Sequence, residues 1–307
     1  MKRPHLFLYL LIMLFAAVNA HAQLGAIGGI ASIQGKKQTT FPLFTLTAKT
    51  GQSDILDTGF YMYYAQVDTY MGKDMSIFAG NPKERLIYKI LNVSYNLTSD
   101  MNLSASIPYV SADVAQFITS PANPSGAYSI ASSSSGLSNP AVRFMYQVLS
   151  SPMLAVYGTI YLPTGFRGVG SGGTDLEADL AYTRNIGIVQ WDSNIGYRLT
   201  GVDLATHKKP NNDIQMANSA LSIPLGMSLS GFFEINTMYE GQITDVDFAG
   251  TGRQYTVQQI LVNLVPGIRL SITPNIFLTT ALKYSMYNTF LYGYHYIYTI
   301  GLDYLVL

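Results

Sequence analysis

The chain of 307 residues is 48% hydrophobic and only 12% charged, with 18 basic side chains against 18 acidic ones. Soluble domains carry about twice that share of charge, and a net charge of zero leaves no electrostatic footprint for nucleic acid. The lack of cysteine excludes a disulfide framework, a thiolate metal centre and a lipoprotein anchor.

The first residues, MKRPHLFLYLLIMLFAAVNAHAQ, place Lys2 and Arg3 before an apolar run from Leu6 to Val18, with Ala20 and Ala22 flanking His21. That pattern is a secretory signal peptide over residues 1–22, with cleavage expected before Gln23. Beyond it no stretch approaches 18 consecutive apolar residues, so no transmembrane helix is available. An apolar, exported chain without a spanning helix can still cross a bilayer as a closed β-barrel, because all its backbone groups then pair between strands. The 23 tyrosines suit the interfacial girdles of such a barrel.

Residues 23–56 run from glycines and alanines into Phe41, Leu43, Phe44 and Leu46, without the continuous alternation of a spanning strand. This segment is expected to stay periplasmic or to enter the lumen, where its aromatic surface can be buried.

Residues 57–307 read as the transmembrane barrel. Dyad alternation bounded by turn residues predicts strands at 57–70, 84–98, 100–112, 139–150, 152–164, 174–185, 188–202, 213–224, 226–240, 253–269, 274–288 and 293–306. This makes an all-β, antiparallel up-and-down barrel of about twelve strands, an even number that leaves both ends periplasmic. Tight turns such as Thr98-Ser99-Asp100 and Asn185-Ile186-Gly187 interleave with longer connections, as periplasmic turns do with extracellular loops. The stretch QFITSPANPSGAYSIASSSSGLSNP, residues 116–140, is rich in Ser, Pro and Gly and reads as an irregular external loop. In the second strand Lys89 shares parity with Ile87 and Val93, which suggests a bulge or a different register.

GVGSGG, Gly168 to Gly173, matches the dinucleotide-binding spacing G-x-G-x-x-G and follows a strand-like AVYGTIYLPTG. That fingerprint needs a helix after the glycines, and Thr174 and Glu177 could cap one. However, Leu176, Ala178, Leu180 and Tyr182 alternate as in a strand, and a strand here keeps the count even. The glycines are therefore read as a turn at the barrel rim, and no nucleotide or other cofactor is expected.

Parity assigns the faces. Tyr298, Ile300, Leu302 and Tyr304 point to lipid, whereas Thr299, Gly301 and Asp303 point inward. The same logic brings Arg143, Glu177, Asp179, Asp192, Arg198, Glu234, Arg269, Lys283 and Asp303 to the inner face as candidate pore-lining residues. They either line a water-filled path or form paired networks that stiffen the interior, and about twelve strands imply a narrow pore. His207 and His295 have no serine nucleophile or ligand-spaced carboxylate beside them, so neither catalysis nor a metal site is expected. The expected partners are outer-membrane lipids, the barrel-assembly machinery and a small-molecule solute.

Three pieces, NVSYNLTSDMNLSASIPYV, SSGLSNPAVRFMYQVL and YLPTG with GSGGTDLEADLAYTRNIG and NIGYRLTG, occur in an order spanning Asn92 to Gly201. In that order they resemble the outer-membrane transporter family named for the meta-pathway of phenol degradation. One departure is Ser138-Asn139, where the family usually shows Gly-Asp. The resemblance implies an outer-membrane barrel that admits small aromatic or otherwise hydrophobic compounds. A plugged barrel with a structural or surface-interaction role is the alternative, and a lipid hydrolase a more distant one.

Overall fold

Alternating side chains leave the backbone to pair sideways, and the chain does so around a complete circle. The computed structural model describes residues 44–48, 55–70, 73–74, 83–120, 123–163, 173–202, 212–246, 255–288 and 293–306. The strands are β1 (Leu56–Tyr70), β2 (Lys73–Asp74), β3 (Lys83–Asn96), β4 (Met101–Ser120), β5 (Asn123–Leu137), β6 (Ala141–Ser150) and β7 (Met153–Tyr161). They continue with β8 (Asp175–Ile186), β9 (Val189–Leu199), β10 (Ile214–Pro224), β11 (Leu229–Val246), β12 (Tyr255–Thr273), β13 (Ile276–Asn288) and β14 (Gly293–Val306). The strands pair antiparallel in the order β14-β13-β12-β11-β10-β9-β8-β7-β6-β4-β3-β1, with β2 on β1 and β5 on β4, and β1 closes the ring by pairing with both β3 and β14. Leu56 lies opposite Val306 on one side and Tyr95 on the other, so no open edge remains along β1.

The stretch 116–140 is not an irregular loop. Within it β5 folds back on the upper half of β4, with Tyr109 opposite Leu137 and Ile118 opposite Ala127. The lower half of β4 pairs with β6, Ser106 facing Ala141. Two residues of β4 thus face three, Ser138-Asn139-Pro140, on the other side, which makes a one-residue bulge in a single long stave. Pro140 sits where the ladder is already interrupted, so its missing N–H costs no ladder bond. Of fourteen strands, β2 is a two-residue appendage and β5–β6 form one stave, which leaves twelve staves around the barrel. Composition misleads here because serine and glycine can form a strand through backbone pairing alone.

Strand β3 also corrects the expectation of a bulge. Its pairing with β1 and β4 is continuous, with Lys89 opposite Met62 and Tyr109. Leu86, Tyr88, Ile90, Asn92 and Ser94 point inward, so Lys89 belongs to the outer face. It lies two rungs below the outward cross-strand pair Arg85–Asp113, near the top of the apolar belt. A lysine there can keep its ammonium in the headgroup region.

The outer wall carries Phe60, Leu91, Ile107, Val142, Phe144, Leu180, Ile300 and Leu302, all exposed. On a soluble protein such a continuous apolar surface would drive association, and around a barrel it is the lipid-facing belt. GVGSGG lies outside the described residues except for Gly173, but the segment that follows it is strand β8. The helix that a pyrophosphate site needs is therefore not formed there. The signal peptide and most of residues 23–56 also lie outside the described residues, as do the side chains of His207 and His295.

Candidate functional site: the lumen and the segment it holds

All nine charged residues assigned inward by parity are on the inner face, and none is more than 6% exposed. They separate into distinct groups. In the first, the Glu177 carboxylate is gripped between two guanidinium groups, Arg143 Nη2 at 2.9 Å and Arg198 Nη2 at 2.6 Å. Arg198 Nε also donates to Glu177 (2.7 Å), as does Tyr161 OH (3.0 Å), while Arg143 Nε donates to Thr159 Oγ1 (2.7 Å). Glu177 in β8 thereby ties together β6, β7 and β9. Asp179, two residues along, accepts from Asn194 Nδ2 at 3.4 Å. Gly196 lies opposite it, where a Cβ would run into the Asp179 carboxylate.

A second group joins Arg269 of β12 to Asp303 of β14 at 3.2 Å, and Tyr61 OH donates to the same carboxylate. The Arg269 guanidinium lies 4.6 Å from the centre of the Phe277 ring. Tyr61 itself lies over Gly301, whose lack of a side chain makes room for the ring. Asp192, in β9, accepts from Thr183 Oγ1 (2.6 Å) and Gln190 Nε2 (2.7 Å). All five charges of the two ionic groups come from the wall, so these groups brace strand to strand.

Glu234 and Lys283 behave differently, because they engage residues 44–48, which lie inside the barrel. The amide N–H of Phe44 donates to Glu234 Oε2 (2.9 Å), and Thr45 adds its N–H (2.8 Å) and its hydroxyl (3.0 Å) to the same oxygen. The Leu46 N–H donates to Asn194 Oδ1 (3.0 Å), the Ala48 N–H donates to Thr183 Oγ1 (2.7 Å), and Tyr157 OH donates to the Thr47 carbonyl. Physical necessity explains this pattern. The wall strands beside the segment already have partners on both sides, so its backbone groups are met by wall side chains rather than by a ladder.

The side chains of the segment are as enclosed as its backbone. Leu46 and Ala48 pack against Met145, Ala155, Tyr157 and Ala181. The Phe44 ring lies 4.3 Å from Lys283 Nζ and 6.0 Å from the Tyr63 ring, tilted by 49°. A residual cavity of about 40 Å³ beside Phe44 and Leu46 is bounded by Met216, Met238, Asn218 and Lys283. That is room for about two or three water molecules. Tyr61, Tyr63, Tyr157 and Tyr161 were not among the residues singled out from the sequence, although strand parity would have placed them inward with Asp57 and Gly59 or with Thr159. The partners of the inserted segment carry no local signal, since Phe44 and Glu234 are 190 residues apart.

Residues 72–290 match the family model described as "Putative MetA-pathway of phenol degradation". In structure the chain is similar to an outer membrane channel from Pseudomonas putida F1, with a TM-score of 0.62 and 11% identity over 84% of this chain and 98% of that one. It is also similar to the Ralstonia pickettii toluene transporter TbuX, with a TM-score of 0.46 and 8% identity over 94% of this chain and 98% of that one. No curated protein matches the chain in sequence. The first of these likenesses supports the fold, a closed outer-membrane barrel.

Proposed function

The chain belongs to the family described by the meta-pathway of phenol degradation, and on that premise we propose that it is a passive outer-membrane channel for small hydrophobic or aromatic molecules. Residues 44–48 hold it in an occluded state. Signal-peptide removal before Gln23 leaves the mature N-terminus on the periplasmic side, from which the segment enters the lumen. Solute moves down its own gradient, and the barrel acts by permeation rather than by a chemical step.

The observation that carries this reading is how the segment is attached. A barrel of eight strands is filled by its own wall side chains, whereas twelve staves leave interior room. That room is taken by a segment of the chain tethered through side-chain hydrogen bonds, so it can leave without breaking a rung of the wall. Around the barrel interior, buried polar atoms of Asp57, Asn92, Ser222, Asn263, Thr279 and Thr299 lack a hydrogen-bond partner among the described residues. Buried groups of that kind are normally satisfied by water or a ligand, which supports water in the barrel interior beside the segment. Arg143, Glu177, Arg198, Arg269 and Asp303 stiffen the wall in this scheme, and Glu234 and Lys283 hold the segment.

The filled lumen also fits a plugged barrel with a structural role, and conductance separates the two. Deleting Gln23 to Thr50 behind the signal peptide is expected to raise single-channel conductance in planar bilayers and to speed entry of small aromatic solutes. A truncated protein that inserts normally and conducts no better than the full chain would favour the structural barrel.

A further inference from the structure

We infer that the place held by the Phe44 ring is a binding site for a neutral aromatic ring, and that solute enters the lumen by taking that place. The inference rests on the channel reading and adds to it a site and a ligand class. Its starting point is Lys283. The lumenal cations Arg143, Arg198 and Arg269 each hold a carboxylate. Among the described residues Lys283, only 1% exposed, forms no hydrogen bond or ion pair, and its ammonium faces the Phe44 ring at 4.3 Å. A buried ammonium needs compensation, and the negative face of an aromatic ring supplies it, more strongly as water is excluded.

The rest of the site suits a ring as well. Tyr63, 2% exposed, offers a tilted aromatic wall at 6.0 Å, and Tyr61 stacks behind it at 6.4 Å. Met216 and Met238 bound the adjoining cavity with polarizable, adaptable side chains. Glu234, which grips the Phe44 amide, balances the charge of Lys283, so a ring carrying a full charge of either sign gains nothing over a neutral one. An aliphatic solute would fill the same space but would leave the ammonium without its π partner. Phe44 thus acts as a tethered competitor that seals the route until a free aromatic molecule replaces it.

The test uses the full mature chain in detergent micelles, with phenol and cyclohexanol as matched probes in equilibrium binding. Phe44→Ala is expected to tighten phenol binding at least tenfold over the unaltered protein and to favour phenol over cyclohexanol by about tenfold, and Lys283→Met in the Phe44→Ala background is expected to erase that preference. Should Phe44→Ala fail to show the heat-dependent gel shift of a folded barrel, Phe44→Leu makes the same comparison, its side chain being a weaker competitor for the ammonium than the ring it replaces. Equal binding of both probes by the Phe44 variant, or a preference untouched by Lys283→Met, would overturn the inference, the ammonium having turned to Glu234 instead. Planar-bilayer conductance of the same variants separates the two readings. Increased conductance without selective phenol binding removes the ring site and keeps the channel, and selective binding without conductance does the reverse.

Discussion

Replacing Glu234 by glutamine should release the segment that fills the lumen. The carboxylate accepts from the Phe44 N–H, the Thr45 N–H and the Thr45 hydroxyl, all at 2.8 to 3.0 Å of Oε2, and Phe44 also approaches Oε1 at 3.1 Å. Hydrogen bonds to a charged group contribute about 1.5–3 kcal/mol each, against about 0.5–1.5 kcal/mol for neutral pairs. A glutamine whose oxygen sits at the Oε2 position keeps three neutral bonds and loses about 1 kcal/mol on each. Its amide replaces Oε1 with a donor that faces another donor. The sum, about 3 kcal/mol, shifts the balance toward the displaced segment by a factor of about 100. Single-channel recording of Glu234→Gln should therefore show a large rise in the open fraction, with the unit conductance of the open state unchanged. A variant that retains the heat-dependent gel shift yet opens no more often than the unaltered protein would refute the idea that this carboxylate holds the segment.

Other residues test the wall that surrounds it. Leu302 faces lipid between Phe60 and Leu278, so Leu302→Arg should destabilise the barrel by about 2–4 kcal/mol in urea titrations of protein folded into vesicles. A loss below about 1 kcal/mol would place the residue away from the hydrocarbon core. Glu177→Gln would leave Arg143 and Arg198 sharing a site without their carboxylate, and the same titration should show a loss of about 3–5 kcal/mol. Gly301→Ala would put a Cβ into the Tyr61 ring and disturb its bond to Asp303; a cost of about 1–3 kcal/mol is expected, with partial recovery when Tyr61 is shortened to leucine.

Much of the barrel is legible because one physical rule, alternation across a wall with lipid outside, acts on every strand. Glu177 and Asp179 alternate with Leu176, Ala178 and Leu180, and the structure buries the first pair and exposes the second set. The rule weakens where its cause weakens. Strand β5 is held by backbone pairing with β4, with which serine-rich sequence is compatible, so composition no longer separates strand from loop. Near the top of the belt Lys89 breaks the apolar pattern on the outer face without breaking the register, because its long side chain can reach the headgroups. The nine inward charges were visible in the sequence, but how they divide was not, since pairing between β6, β8 and β9 or between β12 and β14 depends on register. Residues 44–48 follow no dyad rule at all, because their backbone is held by side chains from four wall strands, β7, β8, β9 and β11.

That division bears on mechanism. Arg143 and Arg198 hold Glu177, and Arg269 holds Asp303 beside Tyr61, through wall residues, so displacing an inserted segment leaves those ion pairs in place. Glu234 on β11 and Lys283 on β13 are instead split across β12, and each engages a different part of Phe44, the carboxylate its amide and the ammonium its ring. Removing this one residue from the lumen therefore uncovers two opposite charges at once. Neither is then strongly disfavoured, because each becomes available to the other or to an incoming molecule. Occlusion at this position can be firm and still reversible: the cost of opening falls on side-chain contacts, Glu234 and Lys283 among them, while the hydrogen-bonded ladder of the barrel is left unchanged.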